Sequence, residues 1–267
     1  MQYLVLVTIG LVMGTFGGLL GVGGAVIMIP ALVAAFGENQ HLYQAAAMIC
    51  NSFVSVSALA VHKKAGVLMP SVLKYLIPSA ALGIIVGVAV TNSSTFARGN
   101  SYLLARLLGI YLAIEVVRNC LRFRGSRARG DGLDLTGVRS SRPLTLLAGV
   151  LTGLLGGVLG LGGGVVCVPA QQILLNMPLK RAITNSTATV AVISLIGGLY
   201  KNLTLPAQGI SIAESARLAA IVIPGAVLGG LFGGRLMYVL PKNVVRAVFT
   251  ALLALASYRL LTVPPGV

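Results

Sequence analysis

The chain has 267 residues, of which 57% are hydrophobic and 9% charged, with 34 glycines and a net charge of +15. Soluble domains carry about 25% charged residues and about 7% glycine, so an ordinary soluble fold is excluded, as is a nucleic-acid reader built on aromatic platforms, because Trp is absent and basic residues flank apolar runs. The longest polar run, Arg122 to Arg142, is about 20 residues, too short for an independent domain of roughly 50.

Apolar runs fall at about 2–20, 24–36, 44–61, 71–91 and 101–121, and again at about 143–160, 164–176, 182–200, 215–239 and 243–262. A bilayer-spanning helix takes roughly 20 apolar residues, so the fold class is an all-α polytopic membrane protein with eight to ten spans. The N-terminus lacks a basic region ahead of its apolar run and reads as a retained membrane helix. Run 24–36 holds 13 residues, about 20 Å of helix against a hydrocarbon core of about 30 Å. A short helix following a glycine break inside the protein is the expectation there.

The two sets of five runs are related. Residues Gly14 to Pro30 align without gaps on Gly153 to Pro169, an offset of 139. Ile49-Cys50-Asn51-Ser52 matches Ile183-Thr184-Asn185-Ser186 at an offset of 134, and Ile77-Pro78 through Gly87 matches Ile223-Pro224 through Gly233 at 146. Matches in one order indicate a duplicated unit, a common plan of secondary transporters. The predicted organisation is a first membrane repeat at 1–121, a basic linker at 122–142 and a second membrane repeat at 143–267. The arginines of the linker place it in the cytoplasm. Working backward from the linker places His62-Lys63-Lys64 inside; if the first apolar block of each half folds as a hairpin, Lys180-Arg181 and Lys242-Arg246 also lie inside with only Lys201 and Arg259 on the wrong side, and the halves are inverted repeats. If the block crosses once, the charge rule is violated more often.

The glycine elements, Gly17, Gly18, Gly21, Gly23 and Gly24 in the first copy and Gly156, Gly157, Gly160, Gly162, Gly163 and Gly164 in the second, admit two compatible readings. Spacings of four residues let helix backbones approach closely. A glycine turn opening a half-helix also exposes N–H groups at the positive end of a helix dipole, which suits an anion. A nucleotide-binding loop is disfavoured, because no Lys-Ser/Thr pair follows the glycines.

These duplicated Gly-x-Gly-Gly-(Ala/Gly)-x-x-x-x-Pro elements, with Lys180-Arg181-Ala182-Ile183-Thr184-Asn185-Ser186 after the second, resemble the TauE/SafE sulfite-exporter family over roughly residues 3–262. The resemblance implies movement of sulfite, organosulfonates or related sulfur-containing or organic anions across the cytoplasmic membrane. Ala25 stands where a third glycine is usual, and Ala46-Ala47 replaces the Lys-Arg pair in the first copy, so that half is expected to bind through backbone with less help from charge.

The candidate substrate-binding residues are Gly21, Gly23, Gly24, Asn51, Ser52, Gly160, Gly162, Gly163, Gly164, Gln171, Asn185, Ser186 and Thr187. The Asn-Ser pairs are expected to face the glycine turns around a central cavity, with interhelical hydrogen bonding as the competing role. Gln171 and Gln172 line the same cavity or pack on polar neighbours. Glu115, an acidic residue within an apolar run, either carries a coupling proton or pairs with Arg118 three residues on. Cys50, Cys120 and Cys167 read as buried apolar groups, and His41 and His62 lack metal-type spacing.

No constellation for an enzyme, a metal or a cofactor is expected, and no ATP-binding motif supplies energy, which leaves ion or substrate gradients or a separate protein. The expected function is a secondary anion transporter working by alternating access; the alternative is a non-transporting membrane scaffold or partner subunit whose glycines serve packing. Expected partners are a small anion and the lipid bilayer, with a homo-oligomer as a further candidate and nucleic acid excluded. The expected location is the cell (cytoplasmic) membrane, with multiple passes.

Overall fold

The computed structural model describes residues 2–64, 66–93, 101–124, 138, 141–240 and 242–262. Of the sequence-defined linker, residues 125–137, 139 and 140 lie outside the described residues. The described chain is all-helical: α1 (Gln2–Leu20), α2 (Ala25–Phe36), α3 (Gln40–Lys64), α4 (Pro70–Thr91), α5 (Ser101–Arg124), α6 (Arg142–Val158), α7 (Gly164–Leu174), α8 (Leu179–Thr204), α9 (Ile212–Val239) and α10 (Lys242–Leu261), with a 3-10 turn at Leu205–Gln208. Among the described residues five helices, α1, α3, α4, α8 and α9, are long and apolar enough to cross a membrane. The half-helices α2 and α7 are short, as the apolar runs require.

The polarity is that of a protein immersed in lipid. Leu82, Leu203, Leu228, Phe232 and Val239 are exposed, whereas Asn51, Ser52, Thr184, Asn185, Ser186, Thr187, Thr189 and Ser194 are buried. A soluble protein would reverse this arrangement. The chain forms a multi-pass membrane protein.

At the centre α3 and α8 run antiparallel. The Asn202 side chain reaches the Ala45 carbonyl, Gly198 meets Ile49 and Ser52 donates to the Ala191 carbonyl. Outside this pair, α9 packs on α3 and α4 on α8; α1 lies on α9, α6 on α4, and α5 on α10.

Glycine makes the two outer pairings close. Along α1, Gly10, Gly14 and Gly18 face the backbone of α9 from Val222 to Gly234, and along α6, Gly149, Gly153 and Gly157 face α4 from Leu76 to Val88. A Cβ on Gly14 would fall on the Ala226 carbonyl, and one on Gly153 on that of Ala80. In lipid, where apolar burial gives helices little reason to associate, such backbone contact supplies the dispersion that holds them together. The packing role read from the glycine spacings is therefore realised, and it extends to glycines N-terminal to the two matched elements.

After α1 the chain folds back. Gly24, at the start of α2, lies against the Met13 backbone and side chain, and Gly163, at the start of α7, lies against Thr152 in the same way. Each first apolar block is a hairpin, with tips at residues 21–24 and 159–163.

Gly14→Ala is expected to destabilise the protein by about 1–3 kcal/mol, because the methyl must displace backbone. Gly234→Ala, whose Cβ meets its nearest neighbours at 3.4–3.5 Å, is expected to be neutral. Thermal unfolding of the detergent-purified variants checks the pair; equal loss in both would overturn the packing argument.

Candidate functional site

The two hairpin tips meet at the molecular centre. Val22 of the first lies directly against Gly164 of the second. Non-helical backbone at this depth is tolerated only if protein or a wet cavity satisfies its polar groups, and side chains from α3 and α8 do most of that. Asn51 accepts at Oδ1 from the N–H groups of Gly24 (2.6 Å) and Ala25 (2.8 Å), and its Nδ2 donates to the Leu161 carbonyl (2.8 Å) in the opposite tip. Ser186 donates to the Gly21 carbonyl (2.7 Å), and Ser194 to the Gly162 carbonyl (3.2 Å).

Asn51 is thus the cap of α2 and a stitch between the halves, with its amide oxygen already holding two backbone donors. Ser52, expected beside it at the cavity, donates to α8 at Ala191. Thr187 packs against Gly21 and bonds its own helix at Ile183. Asn185 does not reach either glycine turn. It accepts from the Met69 N–H (3.0 Å), and its Nδ2 lies 3.4 Å from the Met177 sulfur.

The separation of the two Asn-Ser pairs has a geometric cause. Gln44 of α3 closes on Gly160, and Ile183 of α8 closes on Gly21; both pairs of positions are related by 139, the offset of the glycine elements. The offset of 134 that aligns the Asn-Ser pairs is five residues short, which is about 7.5 Å along a helix. In space Asn51 corresponds to Val190, and Asn185 to Ala46.

The tips also differ at the half-helices they open. The α2 N-terminus is closed by Asn51. At α7, the N-cap Gly163 adopts φ +83°, a left-handed conformation suited to glycine, and it offers no side-chain cap. The N–H groups of Gly163, Gly164 and Val165 donate no hydrogen bond among the described residues. Thr152 of α6 lies against Gly163, and its buried hydroxyl faces the weakly accepting Cys167 thiol with no oxygen or nitrogen partner.

Next to it sits a wholly buried polar group. The Cys167 thiol is approached by Gln171 Nε2 (3.1 Å) and neighbours Thr152, Ser186 and Thr189. Gln171 Nε2 also points to the carbonyls of Cys167 and Ala182, while its Oε1 is unpartnered. The 139 mates of Thr152, Cys167, Gln171, Ser186 and Thr189 are Met13, Met28, Leu32, Ala47 and Cys50, and all five of these are buried core residues. One half of the crossing is filled by thioether, thiol and aliphatic groups; the other is polar and holds the uncapped helix N-terminus.

Of the remaining predicted groups, Glu115 pairs with Arg118 on α5 and accepts from the Tyr111 hydroxyl (3.2 Å), on a helix whose main partner is α10. Cys50 and Cys167 are buried as expected, but Cys120 is exposed. Among the described residues no three His, Cys, Asp or Glu side chains gather into a metal site.

Residues 6–260 match the family described as sulfite exporter TauE/SafE. The chain belongs to that family. Similar proteins include the probable membrane transporter protein MamO of Paramagnetospirillum magneticum, 28% identical over 96% of this chain and 44% of that protein, so the chain spans less than half of MamO's length. Two Bacillus subtilis proteins, the probable membrane transporter proteins YjnA and YunE, are each 25% identical, covering 84% and 98% of this chain and 87% and 98% of their own lengths. No solved structure matches. The TauE/SafE match covers both hairpin tips and the α3–α8 pair between them.

Asn51→Ala would leave two buried N–H groups and one carbonyl unpaired, at about 1–3 kcal/mol each, and is expected to lower stability by about 3 kcal/mol or more. Asn185→Ala gives up one backbone partner and is expected to cost about 1 kcal/mol. Thermal unfolding of both variants checks the ranking, and the reverse order would contradict it.

Proposed function

We propose that the protein is a secondary transporter of small anions, with one central anion site at the N-terminus of α7. The observation that carries this reading is the uncapped helix start beside the buried Thr152 hydroxyl, whose side-chain neighbour is the weakly accepting Cys167 thiol. Backbone N–H groups and the helix dipole attract negative charge, and the Thr152 hydroxyl and the Cys167 thiol lie beside them as weak to moderate donors without a fixed counter-charge, whereas the Ser186 and Thr187 hydroxyls are engaged with the Gly21 and Ile183 carbonyls and shape the wall. A site built this way holds an anion while allowing release.

The family supports sulfur-containing or organic anions as cargo, such as sulfite and organosulfonates. Oxyanions of this kind present several acceptor oxygens and no donor when ionised, which suits a pocket of N–H and O–H groups. Gly160 and Gly162 shape the tip that carries these donors, while Gly21, Gly23 and Gly24 shape the tip that closes against it.

The working cycle is alternating access by inverted halves. Antiparallel α3 and α8, with α1 parallel to α9 and α6 parallel to α4 by the order of their glycine contacts, are the directions that inversion about the centre requires. Each hairpin is carried on a helix of the opposite half, so a tilt of α4 with α6 against α1 with α9 shears one tip past the other. The scaffold reading draws on the same glycine contacts and is the outcome if no anion moves.

Purified protein in liposomes is expected to take up at least one of sulfite, thiosulfate and sulfoacetate. Thr152→Met and Gln171→Leu, which install the first-copy residues, are each expected to weaken uptake about tenfold, the worth of a hydrogen bond or two, while Met13→Leu in the first copy leaves it within about twofold. Radiotracer flux with a folding check reads this out. Flux of none of the anions would favour the scaffold, and full activity in both second-copy variants would remove the site from α7.

A further inference from the structure

A lysine lies enclosed between α3, α4 and α8. Lys201 is 1% exposed. Its Nζ donates to Thr91 Oγ1 (2.9 Å) and Asn92 Oδ1 (3.1 Å) and meets His41 Nδ1 at 3.0 Å. Three partners occupy the three hydrogens of an ammonium group. A lysine near the end of a membrane helix ordinarily extends to the interface; this one is turned inward and held. It is also one of the two basic residues that the charge rule left on the wrong side of the membrane, because it is part of the interior and not an orientation signal.

The position is one of a matched pair. The 139 mate of Lys201 is His62 near the other end of α3, and the 146 mate of Asn92 is Tyr238. His62 Nδ1 lies 3.2 Å from the Tyr238 hydroxyl, and its Nε2 lies 3.3 Å from the Gly18 carbonyl. Each end of the α3–α8 pair therefore carries a buried basic group locked onto the helix that supports a hairpin. At the Lys201 end the lock contains two titratable groups in direct contact.

We propose that Lys201 and His41 share a single exchangeable proton and form the proton-coupling site of the transporter, an assignment that rests on the anion-transport reading above. Two cations 3.0 Å apart in a buried setting repel strongly, so the pair holds one proton and titrates as a unit. In one form the Lys201 ammonium donates to neutral His41 Nδ1. In the other, that proton has moved to Nδ1, leaving a neutral amine and an imidazolium. Release of the Nε2 proton, to water in the conformation that opens this buried end, then leaves imidazole in its Nδ1–H tautomer, donating to the amine, and the charge of the pair falls by one. The titratable side chain that faces Lys201 from α3 is His41; α4 contributes the neutral Thr91 and Asn92, the 3-10 turn contributes no titratable group, and Glu38 stands three residues before His41.

The linkage to cargo is mechanical. Lys201 is on α8, which also carries Ser186, Thr187 and Thr189 at the candidate anion site, while its partners are on α3 and α4. A charged Lys201 ties α8 to both neighbours at this end. Loss of the charge weakens three charge-assisted hydrogen bonds together and frees α8 to move with its half.

The test has two arms. The chain holds only two histidines, so histidine-selective nitrogen-15 NMR of the detergent-solubilised protein reports His41 with His62 as internal reference. Lys201→Met is expected to abolish the Nδ1-acceptor tautomer of His41 and alter its titration while leaving His62 unchanged; an unchanged His41 overturns the shared proton. Lys201→Arg keeps charge and donors but does not deprotonate, which guards against a folding failure in the Met variant. In liposomes, thiosulfate and sulfoacetate, whose charge is constant near neutral pH, are followed with equal pH and with an imposed one-unit gradient. Wild type is expected to respond by up to about tenfold for one coupled proton, and Lys201→Arg to exchange anion at equal pH without that response. A gradient response retained in Lys201→Arg, or exchange by wild type that ignores the gradient, overturns the coupling role while leaving anion transport standing. Absence of flux for both anions removes coupling with the transport reading, and the NMR arm then decides whether the shared proton exists.

Discussion

The structure depends on one constraint: backbone that leaves the helical path inside a membrane must find hydrogen-bond partners within the protein. Two chain reversals, at residues 21–24 and 159–163, put such backbone at the centre of the molecule. The demands they create account for the placement of otherwise unexpected side chains. Asn51, Ser186 and Ser194 sit in the middle of apolar helices because they are the partners of tip carbonyls and N–H groups. The interior polarity of α3 and α8 is the complement of the two breaks.

That complement is incomplete on one side, and the incompleteness is where function can arise. Asn51 satisfies the first half-helix, whereas the second keeps free N–H groups beside a threonine hydroxyl and a thiol. The two tips are built on matching glycine elements, but one is filled by Met13, Met28 and Leu32 and the other is polar. An unfilled set of donors in a low-dielectric centre binds an anion far more firmly than the same groups in water. Rigid glycine contacts along α1–α9 and α4–α6 hold this geometry, and they also define the bodies able to move as units.

The basic residues separate into two kinds on the same physical grounds. Basic residues at helix ends ordinarily reach water and orient a chain in its membrane. Lys201 is held in the interior by Thr91, Asn92 and His41, where retention of a charge is costly unless each donor is paired. Burial next to His41 makes its protonation sensitive to conformation. The same enclosure in α3, α4 and α8 gives that protonation a route to helix movement.

Much of this organisation was legible from residues alone. Apolar runs of known length dictate membrane helices, since only a helix satisfies its own backbone in lipid, and the 13-residue run 24–36 announced a half-helix because it is too short to span. The matched glycine elements located both hairpin tips. The sequence match at an offset of 134 pairs Asn51 with Asn185, but the contacts that α3 and α8 make with the two tips are related by 139, which relates Asn51 to Val190. Identity of letters does not report which turn of a helix faces a given tip; only packing does. His41 and Lys201 are 160 residues apart, and the sole hint of Lys201 was its violation of the charge rule. Composition and periodicity determined that the chain is a multi-pass membrane protein with glycine-broken helices. Tertiary structure alone decided which polar groups are consumed by folding and which remain for a ligand or a proton, because that depends on contacts between helices far apart in the chain.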